Sequence, residues 1–355
     1  MTVEPGPDVP IIRTSALATF QQCRRRFHYQ WIKGYVPARP PKPLVLGNIV
    51  HAGLAGLFHE LQDECGQTNT LQDLTPTTIA HAQALGINAL EVEIDRYCER
   101  CNDADALEDN DTELCYAMYR SYCHEGLPFI LNSHSTVWCV EQSLDTIIDE
   151  DNVRAVLRGT FDLVLRGSAG FTVADHKTTS SFRDAGSLYL DAQMTAYAFI
   201  MVRHTSRIPN ILYSQIRKKI PSVPEVLKDG TRLSRKACDT NYDVLLSTIR
   251  AHGFDPTDYT AELAKAQANQ FVRFDYVQRT KAALRHYEQS LVAQLRDLLE
   301  CRCFYPSPSR LCIGHCPYTG ACATYLESGS DDAYAELTYD IDPAFCIQAL
   351  QDRDL

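Results

Sequence analysis

The chain has 355 residues, 45% hydrophobic and 22% charged, the composition of an ordinary soluble protein with length for one large domain or two modest ones. Residues 1–10 carry acid and proline rather than a basic start and an apolar core, so no signal peptide is expected, and no run of about 18 apolar residues predicts a membrane span. Fourteen cysteines without an export signal predict a reducing, cytoplasmic setting in which some thiols are metal or cluster ligands.

The net charge of −11 is unevenly spread. Residues 91–113 hold ten acids against two arginines, whereas 13–33 hold five basic residues and no acid, including Arg24, Arg25 and Arg26. Residues 203–236 hold nine basic residues against two acids, including Arg217, Lys218 and Lys219. Local fields govern phosphate binding, so these two basic stretches are candidate DNA contacts despite the acidic total.

Along the chain, a helix is expected over 15–31, carrying Cys23, then a proline-rich link over 37–43 and a second helix over 49–61. The first 63 residues form an N-terminal helical segment, and 64–133 read as a helical, acidic insertion. A core follows over 134–220, with strands at 136–148, 153–166 and 171–176, a helix over 188–203 and a strand over 210–219. Residues 221–300 read as a basic loop and helices, the last over 276–301; a cysteine cluster spans 301–327 and an acidic tail 328–355. Strands grouped together with helices around them predict an α/β fold with a central mixed sheet.

The third strand ends on Asp175-His176-Lys177. Residues two apart on a strand share a face, so a carboxylate and an ammonium stand side by side where unpaired burial would be costly. Asp162 lies on the preceding strand and supplies a second carboxylate, which together suit Mg²⁺ or Mn²⁺. His51, one turn after Gly47-Asn48, would add an imidazole and tilt the preference to Mn²⁺. Gln193 and Tyr197 share a helix face at a spacing of four, and Glu141 on the first strand is a candidate outer acid. Near the C-terminus, Cys312, Cys316 and Cys322 form a compact thiol set with Cys23 as the natural fourth ligand; four thiolates suit an iron–sulfur cluster or Zn²⁺. Such a link would close a very long loop, with a nominal gain of about 4–5 kcal/mol. Cys301 or Cys303 could replace one of these ligands, and Cys98 and Cys101 form a separate pair.

Taken in order, these motifs resemble the PD-(D/E)xK nuclease superfamily, in its RecB-like branch with an iron–sulfur cluster. That branch includes AddB-type nuclease domains, CRISPR adaptation exonucleases and phage exonucleases. Cys23 within Phe20 to Phe27, the histidine motif at His51, Gly159 to Asp162, Asp175 to Lys177, Gln193 to Tyr197 and the three C-terminal cysteines carry the resemblance. It implies a restriction-endonuclease-like core with a 4Fe-4S staple joining the N- and C-terminal segments. It also implies Mg²⁺ or Mn²⁺ held by His51, Asp162, Asp175 and the His176 backbone carbonyl, with Lys177 acting on the water and Gln193 and Tyr197 steadying the site. The expected activity is a metal-dependent DNA nuclease, an exonuclease on DNA ends or single strands in recombination, repair or phage DNA processing. A homo-oligomer or a recombination partner protein is compatible with it, and the setting is the host cytoplasm if a phage encodes the chain. The alternative is a non-catalytic DNA-binding or assembly subunit that keeps the same fold and cluster as scaffold.

Overall fold

The computed structural model describes residues 9–347, apart from Asn69, together with Leu350. A short strand, β1 (Ile11–Arg13), runs directly into helix α1 (Thr14–Gln22). The single helix expected over 15–31 is broken at Cys23, whose backbone is extended (φ −160°, ψ 114°). Its Sγ accepts the N–H of Arg26 and so caps the next turn, α2 (Arg24–Phe27), which continues into a π turn over His28–Ile32.

After β2 (Tyr35–Pro37), helix α3 (Lys42–Thr68) is twice the length expected, because Pro43 falls in its first turn, where a missing N–H is harmless. Helices α4 (Pro76–Cys101), α5 (Asp109–Ser121) and α6 (Leu127–Ser133) lead to the hairpin strands β3 (Thr136–Glu150), β4 (Val153–Gly167) and β5 (Gly170–Thr179). Then come α7 (Ala185–Tyr189), α8 (Ala192–Thr205), β6 (Asn210–Arg217), α9 (Tyr242–Ala251) and α10 (Thr260–Ala268). The next element is a strand the helical reading of this region missed, β7 (Val272–Val277), and helix α11 starts only afterwards (Lys281–Leu299). The chain closes with α12 (Thr319–Ser328), α13 (Asp332–Thr338) and β8 (Tyr339–Ile341), which pairs with β2.

Six strands form one mixed sheet. Along one edge of β4 runs β3, antiparallel. Along the other, β1 pairs in parallel at Val156 to Arg158 and β5 pairs antiparallel from Leu163 to Gly167. The stretch 159–162 lies in the fork between them. Beyond it, β5 and β6 are parallel and joined through α7 and α8, and β7 closes the sheet.

Helices cover both faces. One layer packs α1, α8 and α11 on the sheet around Leu157, Phe161 and Ile200. The other packs α3, α4 and α5 around Leu163, Leu165 and Leu212, so the helices of 64–133 share a core with the sheet. By length and composition α3 is apolar enough to cross a bilayer, which the sequence reading did not expect, yet half of its apolar window is buried in this layer. Its hydropathy is that of a core helix.

Candidate active site

The pairing of β4 with β5 extends to Leu163 and Ala174. One residue further on each strand stand Asp162 and Asp175, where the strands part. The N–H of His176 donates to Asp162 Oδ2 at 2.9 Å, so a side chain takes over at the point where the ladder ends. Side-chain alternation changes phase here as well: Leu157 and Phe161 pack toward α8, but Leu163 and Leu165 pack toward α3. Opposite Asp162 on β3, Glu141 adopts φ 45°, a left-handed conformation that costs a non-glycine residue on the order of 1–3 kcal/mol.

His51 reaches the acids from α3. A Cβ on Gly47 would stand 3.3 Å from Thr178 Oγ1, so the glycine lets this helix approach the end of β5. His51 Nδ1 lies 3.5 Å from Asp162 Oδ2 and 4.0 Å from Glu141 Oε1. One ligand atom from each of His51, Glu141 and Asp162 lies within 4.8 Å of the other two. Two carboxylates and an imidazole form a donor set suited to Mn²⁺ or Mg²⁺.

Beside this group, Asp175 is buried and paired with Lys177, whose Nζ lies 3.0 and 2.8 Å from its two carboxylate oxygens. Lys177 also donates to Gln193 Oε1 at 3.3 Å, and Gln193 Nε2 donates to the Tyr197 hydroxyl at 2.9 Å. Tyr197 stacks on Phe161 with ring centroids 4.5 Å apart. A Cβ on Gly159 would come within 2.9 Å of Ile200 and 3.1 Å of Tyr197, so that glycine is what seats the tyrosine. Asp191 caps α8 by accepting the Gln193 N–H.

The electrostatics are those of a site built for a cation. Burial raises the pKa of Asp175, against the pull of Lys177 and reinforced by Asp162. Burial, together with Asp162 and Asp175, pushes Glu141 up to about 7. Burial opposes the Lys177 ammonium, but Asp175, Asp162 and Asp191 outweigh it and hold its pKa above the ordinary value. The His176 ring lies on the α3 side of the strand, parallel to Phe58 and edge-on to Tyr122 and to the His51 ring, with no hydrogen-bond partner for either nitrogen among the described residues. Burial holds it down to about 3, so the imidazole is neutral and takes no part in proton transfer near neutral pH. Crowded carboxylates with raised pKa values are relieved by a divalent ion.

A model of the PD-(D/E)XK nuclease superfamily matches residues 14–323. The chain belongs to that superfamily. No curated protein matches it. The crystal structure of SSO0001 is 12% identical, covering 65% of this chain and 79% of its own, with a TM-score of 0.26. The assignment rests on the family match and on the site.

In this PD-(D/E)XK superfamily member the four predicted cysteine ligands also meet. Cys23, Cys312, Cys316 and Cys322 line one cavity of about 190 Å³. Cys23 Sγ accepts the N–H groups of Arg26 at 3.5 Å and Ser307 at 3.4 Å, and Cys312 Sγ accepts that of Ser309 at 3.4 Å. Burial, with the neighbouring cysteines, raises the thiols of Cys316 and Cys322. Around the cavity Tyr29, Tyr318 and Tyr339 form a small core that fastens the C-terminal lobe to the π turn. Cys301 and Cys303 do not line this cavity; Cys301 is buried against the α1 side of the sheet.

The predicted DNA-contacting residues fare differently. Arg25 is buried, donating to Tyr29 and Asp331 beneath the ring of Tyr325, and Arg24 lies over Phe20 and Tyr305. Arg217 and Lys219 converge on Asp239, and Lys218 donates to the Pro43 carbonyl. Arg217 is partly buried in this pairing and Lys219 stays exposed, so the charges of 217–219 are paired at the surface by partners too distant in sequence to anticipate. Arg26 borders the cysteine cavity and also a groove along α1.

Proposed function

We propose that the chain is a divalent-metal-dependent deoxyribonuclease, an exonuclease acting on DNA ends or single strands in recombination, repair or phage DNA processing. The observation that carries this reading is the group of His51, Glu141 and Asp162 atoms within 4.8 Å of one another, directly beside the Asp175–Lys177 pair. His51, Asp162, Asp175 and the His176 carbonyl would hold one or two Mg²⁺ or Mn²⁺ ions, with Glu141 as a further ligand. When bound, such an ion lowers the pKa of water and neutralises charge that builds on the phosphate as the P–O bond breaks.

The remaining work falls to the protein. Lys177, held protonated by its carboxylates, orients the attacking water or neutralises a non-bridging oxygen rather than removing a proton. Gln193 fixes the position of that ammonium, and Tyr197 fixes Gln193. The water oxygen bonds to phosphorus and releases one proton to solvent as the bond from phosphorus to the ester oxygen breaks, and the leaving oxygen takes up one proton from solvent.

Four thiols around one void of about 190 Å³ support a 4Fe-4S cluster, for which cysteine thiolates are the usual ligands. Purification without air followed by iron, sulfide and zinc analysis tests this, with cluster iron expected and one stoichiometric zinc contradicting it. For the activity, end-labelled single- and double-stranded oligonucleotides are incubated with Mn²⁺, with Mg²⁺ and with neither. Stepwise shortening from an end that requires the metal is expected. Binding without any cleavage would favour a DNA-binding scaffold instead.

A further inference from the structure

A groove of about 590 Å³ opens beside the site, between α1, the α7–α8 junction and α11. Gln193 belongs to both, so the groove begins where Lys177 is held. Its lining contains two arginines, Arg26 and Arg279, and no acid. Amides and hydroxyls, among them Gln22 and Ser290, make up much of the remaining polar wall.

Arg279 is the unusual member. It is only 5% exposed. Its Nε donates to Thr195 Oγ1 at 2.9 Å and its Nη2 to the Asp191 carbonyl at 3.2 Å. Its Nη1 is buried and has no hydrogen-bond partner among the described residues, and no carboxylate among them lies within ion-pair distance. A buried guanidinium with a spare donor and no counter-charge is costly unless a ligand completes it. The guanidinium lies 5.2 Å from the ring centre of Tyr189, which is half exposed at the rim and followed by the exposed Leu190.

We infer that this groove is the path of a single DNA strand next to the cleaved linkage, with Arg279 Nη1 on a phosphate and Tyr189 as a stacking platform for a base. The inference rests on the nuclease reading for the identity of the strand. Both held nitrogens of Arg279 are fixed by α8 and its cap, the same helix that carries Gln193. A phosphate seated on Arg279 is therefore registered against the Lys177 site, which makes Arg279 a positioning residue. Arginine suits this role because its planar fork can keep two protein contacts while offering a third donor. Amide and hydroxyl walls with one aromatic fit a strand taken without regard to sequence.

The test reads binding, not cleavage. Fluorescence anisotropy of a labelled oligothymidine is followed from 50 to 300 mM NaCl on a cluster-intact Lys177→Ala background. Arg279→Gln is expected to weaken binding by about tenfold and to reduce the slope of log K against log salt by about 0.7, the share of one single-strand phosphate. Arg279→Lys should recover most of the slope, which a merely structural role would not do. If Arg279→Gln fails to fold, Gln22→Glu decides, since it places a negative charge on the exposed wall without touching a buried residue. It should weaken binding several-fold at an unchanged melting temperature. Variants that fold and bind with the parent's affinity and slope would overturn the inference. A wild type that binds in this manner but never cuts would sink the nuclease reading alone.

Discussion

The carboxylate site and the cysteine site are both assembled from metal-ligand side chains, but the chain builds them in opposite ways. The first draws on residues 141–177 of adjacent strands, with His51 added from α3 and Gln193 from α8. The second joins Cys23 to Cys312, Cys316 and Cys322, from opposite ends of the sequence. At the first, acids raise one another's pKa, so without a bound cation these carboxylates oppose the fold. At the second, protonated thiols cost little, while a cluster held by all four would close a loop of nearly the whole chain. The lesson is a division of labour: losses at the carboxylates should appear in chemistry, and losses at the cysteines in stability.

The largest effect expected is on chemistry. Asp162→Asn should slow single-turnover cleavage by at least about 10³-fold, as removal of a metal-binding or charge-stabilising group does, while the melting temperature holds or rises. A large fall in melting temperature would break the contrast. Next, Cys316→Ser should abolish the broad visible band near ~400 nm expected of a cysteine-ligated cluster and lower stability by about 2–4 kcal/mol. Denaturant unfolding with and without the substitution measures it, and equal stability would remove the staple.

A smaller effect sharpens the electrostatic half of the comparison. Glu141 is raised from 4.5 to about 7, and Asp175 is raised as well. A raised acid stabilises the fold while protonated, so in the metal-free protein the contribution of these two groups should be fully present below about pH 4 and be lost as pH rises through about 7. Protons compete with the cation over the same range, so apparent Mn²⁺ affinity should increase roughly tenfold between pH 6 and 8. Thermal shifts at several Mn²⁺ concentrations and pH values measure both trends, and a pH-independent affinity would contradict them. The smallest effect is expected at His176→Phe. The ring is neutral, unpartnered and packed on Phe58, so cleavage and stability should change by less than about fivefold and about 1.5 kcal/mol. A large loss of cleavage would give the imidazole a role that its burial denies.

Legibility followed the same division. Asp162, Asp175, Lys177, Gln193 and Tyr197 were readable because spacings of two and four report directly which side chains share a face. The cysteines were readable as a set because thiol spacing is chemically distinctive. Glu141 was legible only as an outer acid, since its place in the site depends on a left-handed φ and a phase change on β3 and β4. Strand β1 is three residues long, too short to announce itself, yet it borders the fork. The alternation of Val272, Phe274 and Tyr276 was hidden by the helix that follows it. Charge pairing was least legible: nothing near Arg25 or Arg217 marks Asp331 or Asp239 as their partners.

The central claim is that the Asp175–Lys177 pair serves cleavage. It is tested most directly by a time course of end-labelled DNA with Mn²⁺, comparing cluster-intact wild type with Lys177→Ala at matched folded concentration. Wild type should shorten the DNA, and Lys177→Ala should bind it with little change in affinity but cut about 10²–10³-fold more slowly. Equal rates for the two proteins would contradict the account.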